Sequence, residues 1–492
     1  MAIPDSRLWW HKPELVGAAV VGALLLAVGV VVGVRAMPVD CGGRDELVLV
    51  DGQCVGVADA DSDFDFGRPE YADVVRTIRE QNAAVADGPN VVSVVVLLAM
   101  TPRDESFELA EQVRHDALGA ARAQLVHNWS GSTPKLKLLL ANAGDRFEHW
   151  AEVVGRIDAR QAAPDRVVAV TGLGQSLETV YRAARALSEK KIPMVSSTLT
   201  SDDFNDVKGL LRPAPSNRAQ GRAAAEWAFD RIGKSAPTAV LLVDKNEGDK
   251  YPESLADGFR RGIEELGGKV GEPVLRYNSS ADIGTTIAVL ESSLGAICSQ
   301  EVDVVYFAGR GRDLALLVER LATRSCPRKE PLVLTGDDSL TESQLGEARF
   351  QSALRNSKVQ IFATSLAVTG PGELREIAAD LNNQYLVEQF IGGVGGVPEL
   401  DRAALGDDGT VLSHDAVWTV MQAASRAQKQ KAVSASVVGG MFDALRNDGG
   451  FPGVSGPLSY GEDGSATGKV VPLLEIVPDG EPRLVFPKLP AS

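Results

Sequence analysis

Polar side chains recur in this sequence directly after short apolar segments, where they could hold a small polar molecule. The candidates lie in TGLGQS at 171–176, in SSTLTSDD at 196–203, at Asp244 and Tyr251, at Arg310 and at Asp337. Together they offer hydroxyls, amides, carboxylates and one guanidinium, which suit a small zwitterion or a polyol. Structural alternatives exist as well: the serines and threonines could cap helices, the aspartates could form turns, and Arg310 could be a solvated surface charge.

Motifs that activate a nucleophile or hold a catalytic metal are absent from the sequence. None of the five histidines stands in an H-E-x-x-H motif, and there is no G-x-S-x-G elbow or Walker loop. The GLG at 172–174 lacks the full dinucleotide-binding fingerprint. His414 and Asp415 come nearest to a catalytic dyad, but Ser413 as a helix N-cap accounts for them better. The sequence therefore predicts a protein that is not an enzyme, with no cofactor and no metal.

An acidic run at 59–70, DADSDFDFGRPE, superficially resembles an EF-hand calcium loop. Its aspartates alternate, and Glu70 stands at the twelfth position. Phe64, however, occupies the position where that loop needs glycine, and no helix leads into the run. We interpret it as a solvated acidic linker.

Short apolar strands must position the candidate polar residues. Eight segments rich in Val, Ile and Leu lack polar alternation, which is typical of strands buried on both faces of a parallel sheet. They are 91–98, 135–140, 167–170, 192–195, 239–243, 304–307, 332–334 and 359–363. Helices are predicted between them, for example at 177–188, 218–231, 254–266 and 313–323. This alternation predicts an α/β fold with doubly wound parallel sheets, whose ligands bind beyond the carboxyl ends of the strands.

Length and charge narrow the functional classes further. The chain has 492 residues, 44% of them hydrophobic and 24% charged, which predicts two or three folded units. Its formal net charge of −16 would repel nucleic acid and anionic lipid headgroups. DNA and RNA are therefore not expected as partners.

One segment breaks the globular pattern. Residues 15–34 read LVGAAVVGALLLAVGVVVGV without a charge, and about 20 apolar residues suffice to cross a bilayer. A cleaved signal peptide is the alternative, but its apolar core is usually about 7–15 residues long and no A-x-A-like site follows here. The run predicts an uncleaved, single-pass anchor in the cell membrane. Positive residues on its two sides balance, so they do not fix its orientation.

The cysteines form two local pairs, Cys41 with Cys54 and Cys298 with Cys326. Two disulfides in an oxidising compartment fit this spacing better than a metal site. The first would close a hairpin with a strand at 47–50 and a turn at Asp51-Gly52. The second would lie at the amino-terminal edge of a sheet, opposite the ligand cleft, with two buried free thiols as the alternative. The C-terminal domain is therefore expected to be extracytoplasmic.

Five segments resemble, in order, those of type I periplasmic solute-binding proteins, the leucine-binding-protein-like substrate-binding family of branched-chain amino acid ABC transporters. They are KIPMVSSTLTSDDF, LRPAPSNRAQGRAAAEWA, YPESLADGFRRGIEELGGKV, VDVVYFAGRGRDLALLVERLA and GPLSYGEDGSATG. The resemblance spans roughly 91–477 and is weakest around 100–107. It implies two doubly wound lobes, joined at a hinge by three crossings, that close on a small solute.

The resemblance also implies ligand contacts, residue by residue. The matching positions are Ser176 and Thr200 for carboxylate-binding hydroxyls, Thr198 for a backbone contact, Tyr251 and Phe107 for aromatic contacts, and Asp337 for the ammonium-binding acid. Arg310 departs from the pattern, because amino-acid binders often carry an aromatic residue there and a cation would repel an α-ammonium group. An extra acidic group on the ligand, or an Arg310–Asp337 pair that closes an empty site, would each account for it.

These inferences predict an organisation and a function. A short cytoplasmic tail and transmembrane helix (1–36) precede a juxtamembrane hairpin and acidic linker (37–90); lobe 1 comprises 91–213 and 368–447, and lobe 2 comprises 214–367 and 448–492. The expected function is a membrane-anchored receptor for an amino-acid-like ligand or organic anion, in uptake or sensing, with a membrane permease or signalling partner. The alternative is an interaction or structural protein that keeps the fold without binding a ligand.

Overall fold

The computed structural model describes residues 41, 46–85, 88–103, 110–299, 302–324, 332–338, 345–380, 383–392, 399–430, 433–447 and 449–486. The expected membrane segment at 15–34, Phe107 and Cys326 lie outside these residues. Within the described ranges, no helix has the length and apolar character needed to cross a membrane.

Seventeen strands lie in the described part of the chain. They are β1 (Leu47–Val50), β2 (Gln53–Val57), β3 (Val91–Leu98), β4 (Lys135–Asn142), β5 (Val167–Gly172), β6 (Met194–Ser196), β7 (Leu210–Leu211), β8 (Thr238–Asp244), β9 (Lys269–Val270), β10 (Leu275–Tyr277), β11 (Val304–Ala308), β12 (Leu332–Thr335), β13 (Ile361–Thr364), β14 (Phe451–Gly453), β15 (Gly456–Leu458), β16 (Leu473–Ile476) and β17 (Arg483–Phe486). All eight predicted strands are confirmed, with ends displaced by up to two residues.

Fourteen α-helices accompany them in the same described ranges. They are α1 (Ala72–Ala83), α2 (Ala110–Trp129), α3 (Trp150–Ala159), α4 (Glu178–Glu189), α5 (Asn217–Ile232), α6 (Tyr251–Glu265), α7 (Ile283–Ser299), α8 (Gly311–Ala322), α9 (Ala348–Ser357), α10 (Pro371–Asp380), α11 (Gln384–Ile391), α12 (Arg402–Gly406), α13 (Asp408–Lys429) and α14 (Ala435–Asn447). The four helices predicted between strands correspond to α4, α5, α6 and α8.

The first sheet has the order β1-β2-β4-β3-β5-β6-β7, and β3 to β7 are parallel to one another. Its central strand β3 is apolar on both faces. Val92, Val94 and Val96 pack against α1, α2, α13 and α14, whereas Val95 and Leu97 pack against α3 and α4. Helices therefore cover both faces, which explains the absence of polar alternation in the strand.

The second sheet has the order β10-β8-β11-β12-β13-β16-β17, and β9 pairs with β8. The strands from β8 to β13 are parallel, while β16 and β17 are antiparallel additions at one edge. One face packs on α7, α8 and α9 and the other on α5 and α6. The chain thus forms two doubly wound α/β halves, as the sequence predicts.

In the described part of the chain, three crossings join the two halves. The first crossing joins β7 to α5, and the second follows β13. The third lies later than the predicted boundary at 447, because Leu458 and Tyr460 still pack in the first core and only Leu473 returns to the second. The β14–β15 hairpin therefore packs with the first half rather than with the second.

Cys41 and residues 46–85 are part of the first half instead of a separate juxtamembrane unit. β1 and β2 form the predicted hairpin, and a disulfide joins Cys41 to Cys54 with a Cα–Cα distance of 5.5 Å. β2 also pairs antiparallel with β4, and α1 packs on the first core. Strand pairing at the sheet edge and apolar burial thus make this segment part of the first half, whereas the sequence predicted a separate unit that ends at residue 90. Cys298 in α7 is also disulfide-bonded.

The acidic run at 59–70 makes structural contacts with its surroundings. Asp59 accepts a hydrogen bond from Arg160 at 2.7 Å, and Asp65 accepts one from the backbone N–H of Gly67 at 3.0 Å. Phe66 is buried in the first core. The run therefore packs on the first half, and it is less solvated than a free linker would be.

Candidate functional site

A cleft lies between the two halves at the carboxyl ends of their parallel strands. Its cavity has a volume of about 80 Å³ and is partly open to solvent. Six of the seven residues that the sequence analysis selects as ligand contacts line it: Ser176, Thr198, Thr200, Tyr251, Arg310 and Asp337. They come from segments that follow β5, β6, β8, β11 and β12. The seventh, Phe107, lies outside the described residues.

Asp244 has a structural role beside the cleft. It is 1% exposed, and its Oδ1 accepts hydrogen bonds from the backbone N–H groups of Asn246 at 3.1 Å and Ser279 at 2.9 Å. These bonds fix the loop after β8, which precedes the start of α6 at Tyr251. Asp244 therefore shapes the site without being part of its lining.

Ser176 and Thr200 form the wall contributed by the first half. The Ser176 hydroxyl oxygen accepts hydrogen bonds from the backbone N–H groups of Thr200 and Ser201, both at 3.2 Å. Thr198 donates its hydroxyl to the carbonyl oxygen of Gly174 at 3.1 Å. The Thr200 hydroxyl is buried and has no hydrogen-bond partner among the described residues. An orphaned buried hydroxyl at a cleft wall is a group that a ligand could satisfy.

Arg310 lies under the opposite wall and is held by two carboxylates. Its Nε and Nη2 atoms donate to the two carboxylate oxygens of Asp249, each at 2.8 Å, and Nη1 donates to Asp338. The guanidinium also lies 4.6 Å from the centre of the Tyr251 ring. The Arg310 side chain is only 4% exposed. Two carboxylates neutralise its charge, so Arg310 does not stand in the cleft as an unpaired cation.

The expected Arg310–Asp337 pair does not form either, since Arg310 binds Asp249 and Asp338. Asp337 receives no hydrogen bond at Oδ1 within the described part of the chain, while its backbone N–H donates to Gln220 at 3.2 Å. Burial, together with the charge of Asp338 beside it, raises the pKa of Asp337 to about 6. Asp337 is therefore a carboxyl group that a positively charged ligand could bind and deprotonate.

The cleft is also lined by four aspartates that were not predicted from the sequence. They are Asp116, Asp338, Asp407 and Asp408. Asp408 accepts hydrogen bonds from the Leu366 backbone N–H at 2.8 Å and the Ser365 hydroxyl at 2.9 Å. Burial, together with the charge of Asp407, raises the pKa of Asp408 to about 7. Asp338 could have been found from the sequence, because it directly follows Asp337.

Two of these aspartates, Asp407 and Asp408, lie at the start of α13. Asp407 is its N-cap, and its Oδ1 accepts the backbone N–H of Gly409 at 2.8 Å. Asp407 Oδ2 also lies 2.8 Å from His115 Nδ1. Burial alone would lower the pKa of His115, but the hydrogen bond and charge of Asp407 outweigh it and raise that pKa. The predicted N-cap Ser413 is wrong: it lies inside α13, as do His414 and Asp415.

The two halves touch along one side of the cleft. The backbone N–H of Lys250 donates to the Ser176 carbonyl at 2.9 Å, and that of Glu178 donates to the Gly248 carbonyl at 3.1 Å. The Lys250 ammonium group lies 3.0 Å from the Glu178 carboxylate. Ser176 and Glu178 belong to the first half, and Lys250 to the second. These bonds join the two halves directly at one side of the cleft.

Metal coordination has no visible basis in the described residues, where no three His, Cys, Asp or Glu side chains are placed to hold an ion. The lining of the cleft offers hydroxyls and carboxylates.

Comparison with known proteins identifies the fold. No protein-family model matches the sequence, and the search of curated proteins gave no match. Among solved structures, a leucine-binding protein from Thermotoga maritima is similar at 20% identity and a TM-score of 0.56, over 80% of this chain and 98% of that one. The fatty acid ABC transporter substrate-binding protein of Thermomonospora curvata gives 14% identity and a TM-score of 0.59, over 82% and 94%. A solute-binding protein of R. palustris in complex with 4-hydroxybenzoate gives 14% and 0.55, over 80% and 95%.

These likenesses cover nearly the whole of each neighbour and most of this chain. The chain has the type I periplasmic-binding-protein fold, as its five sequence segments predict.

Proposed function

We propose that this protein is a membrane-anchored, extracytoplasmic solute-binding receptor whose halves close on a small polar ligand, and that it is not an enzyme. The observation that carries the proposal is the meeting of polar side chains from both halves in one cleft. The proposed ligand contacts are Ser176, Thr198, Thr200, Tyr251, Arg310 and Asp337. Among them, the Thr200 hydroxyl and Asp337 Oδ1 are buried without a hydrogen-bond partner in the described residues, as expected of groups that await a ligand.

Closure would work by a shift in population between an open and a closed state. A ligand that contacts Thr200 on one side and Asp337 on the other gains both contacts only when the halves are together, so it favours the closed state. The bonds of Lys250 to Ser176 and Glu178 would form in the same movement. Because Lys250 and Glu178 lie partly exposed at the rim, these bonds are weak enough to reopen.

Structural neighbours support a solute as ligand without naming it. Proteins of this fold are described as binding leucine, as serving fatty acid transport, and as holding 4-hydroxybenzoate. One architecture therefore accommodates ligands of different charge and polarity. The ligand of this chain has to be inferred from its own cleft.

The alternative, an interaction protein without a ligand, requires an occluded cleft. The cleft instead keeps a cavity of about 80 Å³, and Arg310 is held by Asp249 and Asp338 rather than closing on Asp337. Both features favour the receptor.

Residues 15–34 would anchor the receptor with its folded part outside the cytoplasm, where the Cys41–Cys54 disulfide is stable. We expect the full chain in the membrane fraction after alkaline washing and a variant lacking 1–36 in the soluble fraction. An equal distribution of both proteins between the two fractions would refute the anchor.

Uptake or sensing would also need a membrane permease or a signalling partner that recognises the closed state of the receptor.

A thermal-shift screen with amines, amino acids and organic acids tests ligand binding, because a ligand of the folded state raises the melting temperature with its concentration. For any ligand found, Thr200→Val should weaken binding about fivefold, since one hydrogen bond contributes about 1 kcal/mol. This substitution removes no bond within the described protein, whereas Ser176→Ala would strand two backbone N–H groups.

Thr171→Val is the matched control. Thr171 in β5 is also buried with an unpartnered hydroxyl in the described residues, yet it does not line the cleft. Its substitution should leave the affinity unchanged. Equal effects of the two substitutions would place the binding site elsewhere.

A further inference from the structure

The cleft lining carries far more negative than positive charge. Five aspartates line it, Asp116, Asp337, Asp338, Asp407 and Asp408, against a single arginine among the described lining residues, Arg310. His115 offsets one of them at most, through its contact with Asp407. Asp408 is about half protonated at pH 7, because burial and the charge of Asp407 raise its pKa to about 7. A closed, poorly hydrated space strengthens the interactions of these charges. Charge complementarity therefore favours a cation inside.

Arg310 has little positive charge to offer a ligand. Asp249 binds it through both carboxylate oxygens, Asp338 binds its remaining terminal nitrogen, and the Tyr251 ring covers its face. A ligand carboxylate would have to displace one of these buried partners, which costs more than the new contact returns.

Backbone donors on the opposite wall are also occupied. The N–H groups of Thr200 and Ser201, which could receive an anion, donate to the Ser176 hydroxyl. The N-terminus of α13 is another place where an anion could bind, but Asp407 caps it and Asp408 occupies its first position. Apart from the hydroxyls of Ser176 and Thr200, the described lining thus has few free donors for a carboxylate.

Two acceptors remain for a donor-rich ligand. Thr200 is 1% exposed, and its hydroxyl oxygen has no partner within the described ranges. Asp337 Oδ1 likewise has none. An ammonium group donates three hydrogen bonds and could satisfy both. A metal ion would need at least three converging ligands, and the described residues contain no such group.

Resting on the proposed function, we propose that the ligand is a small organic cation, an amine with net positive charge, and that the cleft discriminates against solutes that carry a carboxylate. The amine would bind Asp337 at the wall of the second half and the Thr200 hydroxyl at the wall of the first. The remaining aspartates would set the selectivity through their combined charge.

Isothermal titration of the full-length protein with three molecules that share an isobutyl group tests this directly: 3-methylbutylamine as the cation, leucine as the zwitterion and 4-methylpentanoate as the anion. 1,4-Diaminobutane serves as a second cation. We expect at least one amine to bind about tenfold or more tightly than leucine, and no binding of the anion. Leucine or the anion binding as tightly as the amines would overturn the cation assignment while leaving a solute-binding receptor.

Two variants test whether the charge of Asp337 itself is needed for binding. Asp337→Asn should weaken amine binding about tenfold and leucine binding less, because leucine also carries a carboxylate that Asp337 repels. Asp230→Asn, at an exposed site on α5, should change neither. Loss of amine binding by both variants alike would refute a role for Asp337. If none of the four molecules, nor any amine, amino acid or organic acid of the wider screen, binds the wild-type protein, the receptor function itself fails, and the cation assignment fails with it.

Discussion

Replacing Asp249 with asparagine would remove the bidentate carboxylate partner of the buried Arg310 guanidinium. The side chains are 0% and 4% exposed, and their two hydrogen bonds measure 2.8 Å. Breaking a buried ion pair costs about 3–5 kcal/mol, because the remaining charge stays out of water. Asp338 still binds Arg310, so we expect the lower end, about 3 kcal/mol.

Urea unfolding of the ligand-free protein, followed by intrinsic fluorescence, measures this loss. With an m-value of about 3 kcal/mol/M, the midpoint should fall by roughly 1 M. Trp227 is a suitable reporter, since its ring lies 4.2 Å from that of Phe362 in the core of the second half.

The matched control is Asp257→Asn on α6. Its partner Arg261 also lies at 2.8 Å, but both side chains are about half exposed, at 49% and 53%. Solvent screening limits such a pair to roughly 0.5 kcal/mol. If Asp249→Asn and Asp257→Asn differ by less than about 1 kcal/mol, the argument that burial makes the Arg310 pair decisive is wrong.

Two further predictions concern pH and packing. Folding raises the pKa of Asp408 from 3.8 to about 7. Between about pH 4 and pH 7 the folded chain therefore binds more protons than the unfolded chain. The free energy of unfolding of the ligand-free protein should consequently fall as the pH rises from about 4 to 7. Asp408→Asn should flatten this profile and stabilise the protein by roughly 1–3 kcal/mol at pH 8, as measured by denaturant unfolding at each pH; an unchanged profile would exclude Asp408 as its source. At Gly221, where α5 meets α6, an added Cβ would lie 2.2 Å from the Phe259 backbone nitrogen, so Gly221→Ala should destabilise by more than about 2 kcal/mol. Gly155 on α3 has nothing within 4 Å of such a Cβ, and Gly155→Ala should instead stabilise by up to about 1 kcal/mol; equal effects on the melting temperature would contradict the packing argument.

The sequence by itself determined eight strands of the two sheets, four of the helices between them and the first disulfide hairpin. Its signals are local: apolar runs of three to eight residues, helical periodicity, and the Asp51-Gly52 turn between Leu47–Val50 and Gln53–Val57. The rule that ligands lie beyond the carboxyl ends of parallel strands then located Ser176, Thr200 and Asp337 at the cleft before any coordinates were needed.

Only the tertiary structure decided which charges meet. Arg310 binds Asp249 and Asp338, residues 61 and 28 positions away, on loops whose approach depends on the packing of two helices against one sheet. Asp116 and Asp408 reach the cleft from α2 and α13, which lie almost 300 residues apart and pack together in the first core. Charge pairing depends on distances of a few ångströms between separate elements, and local sequence patterns carry no information on such distances.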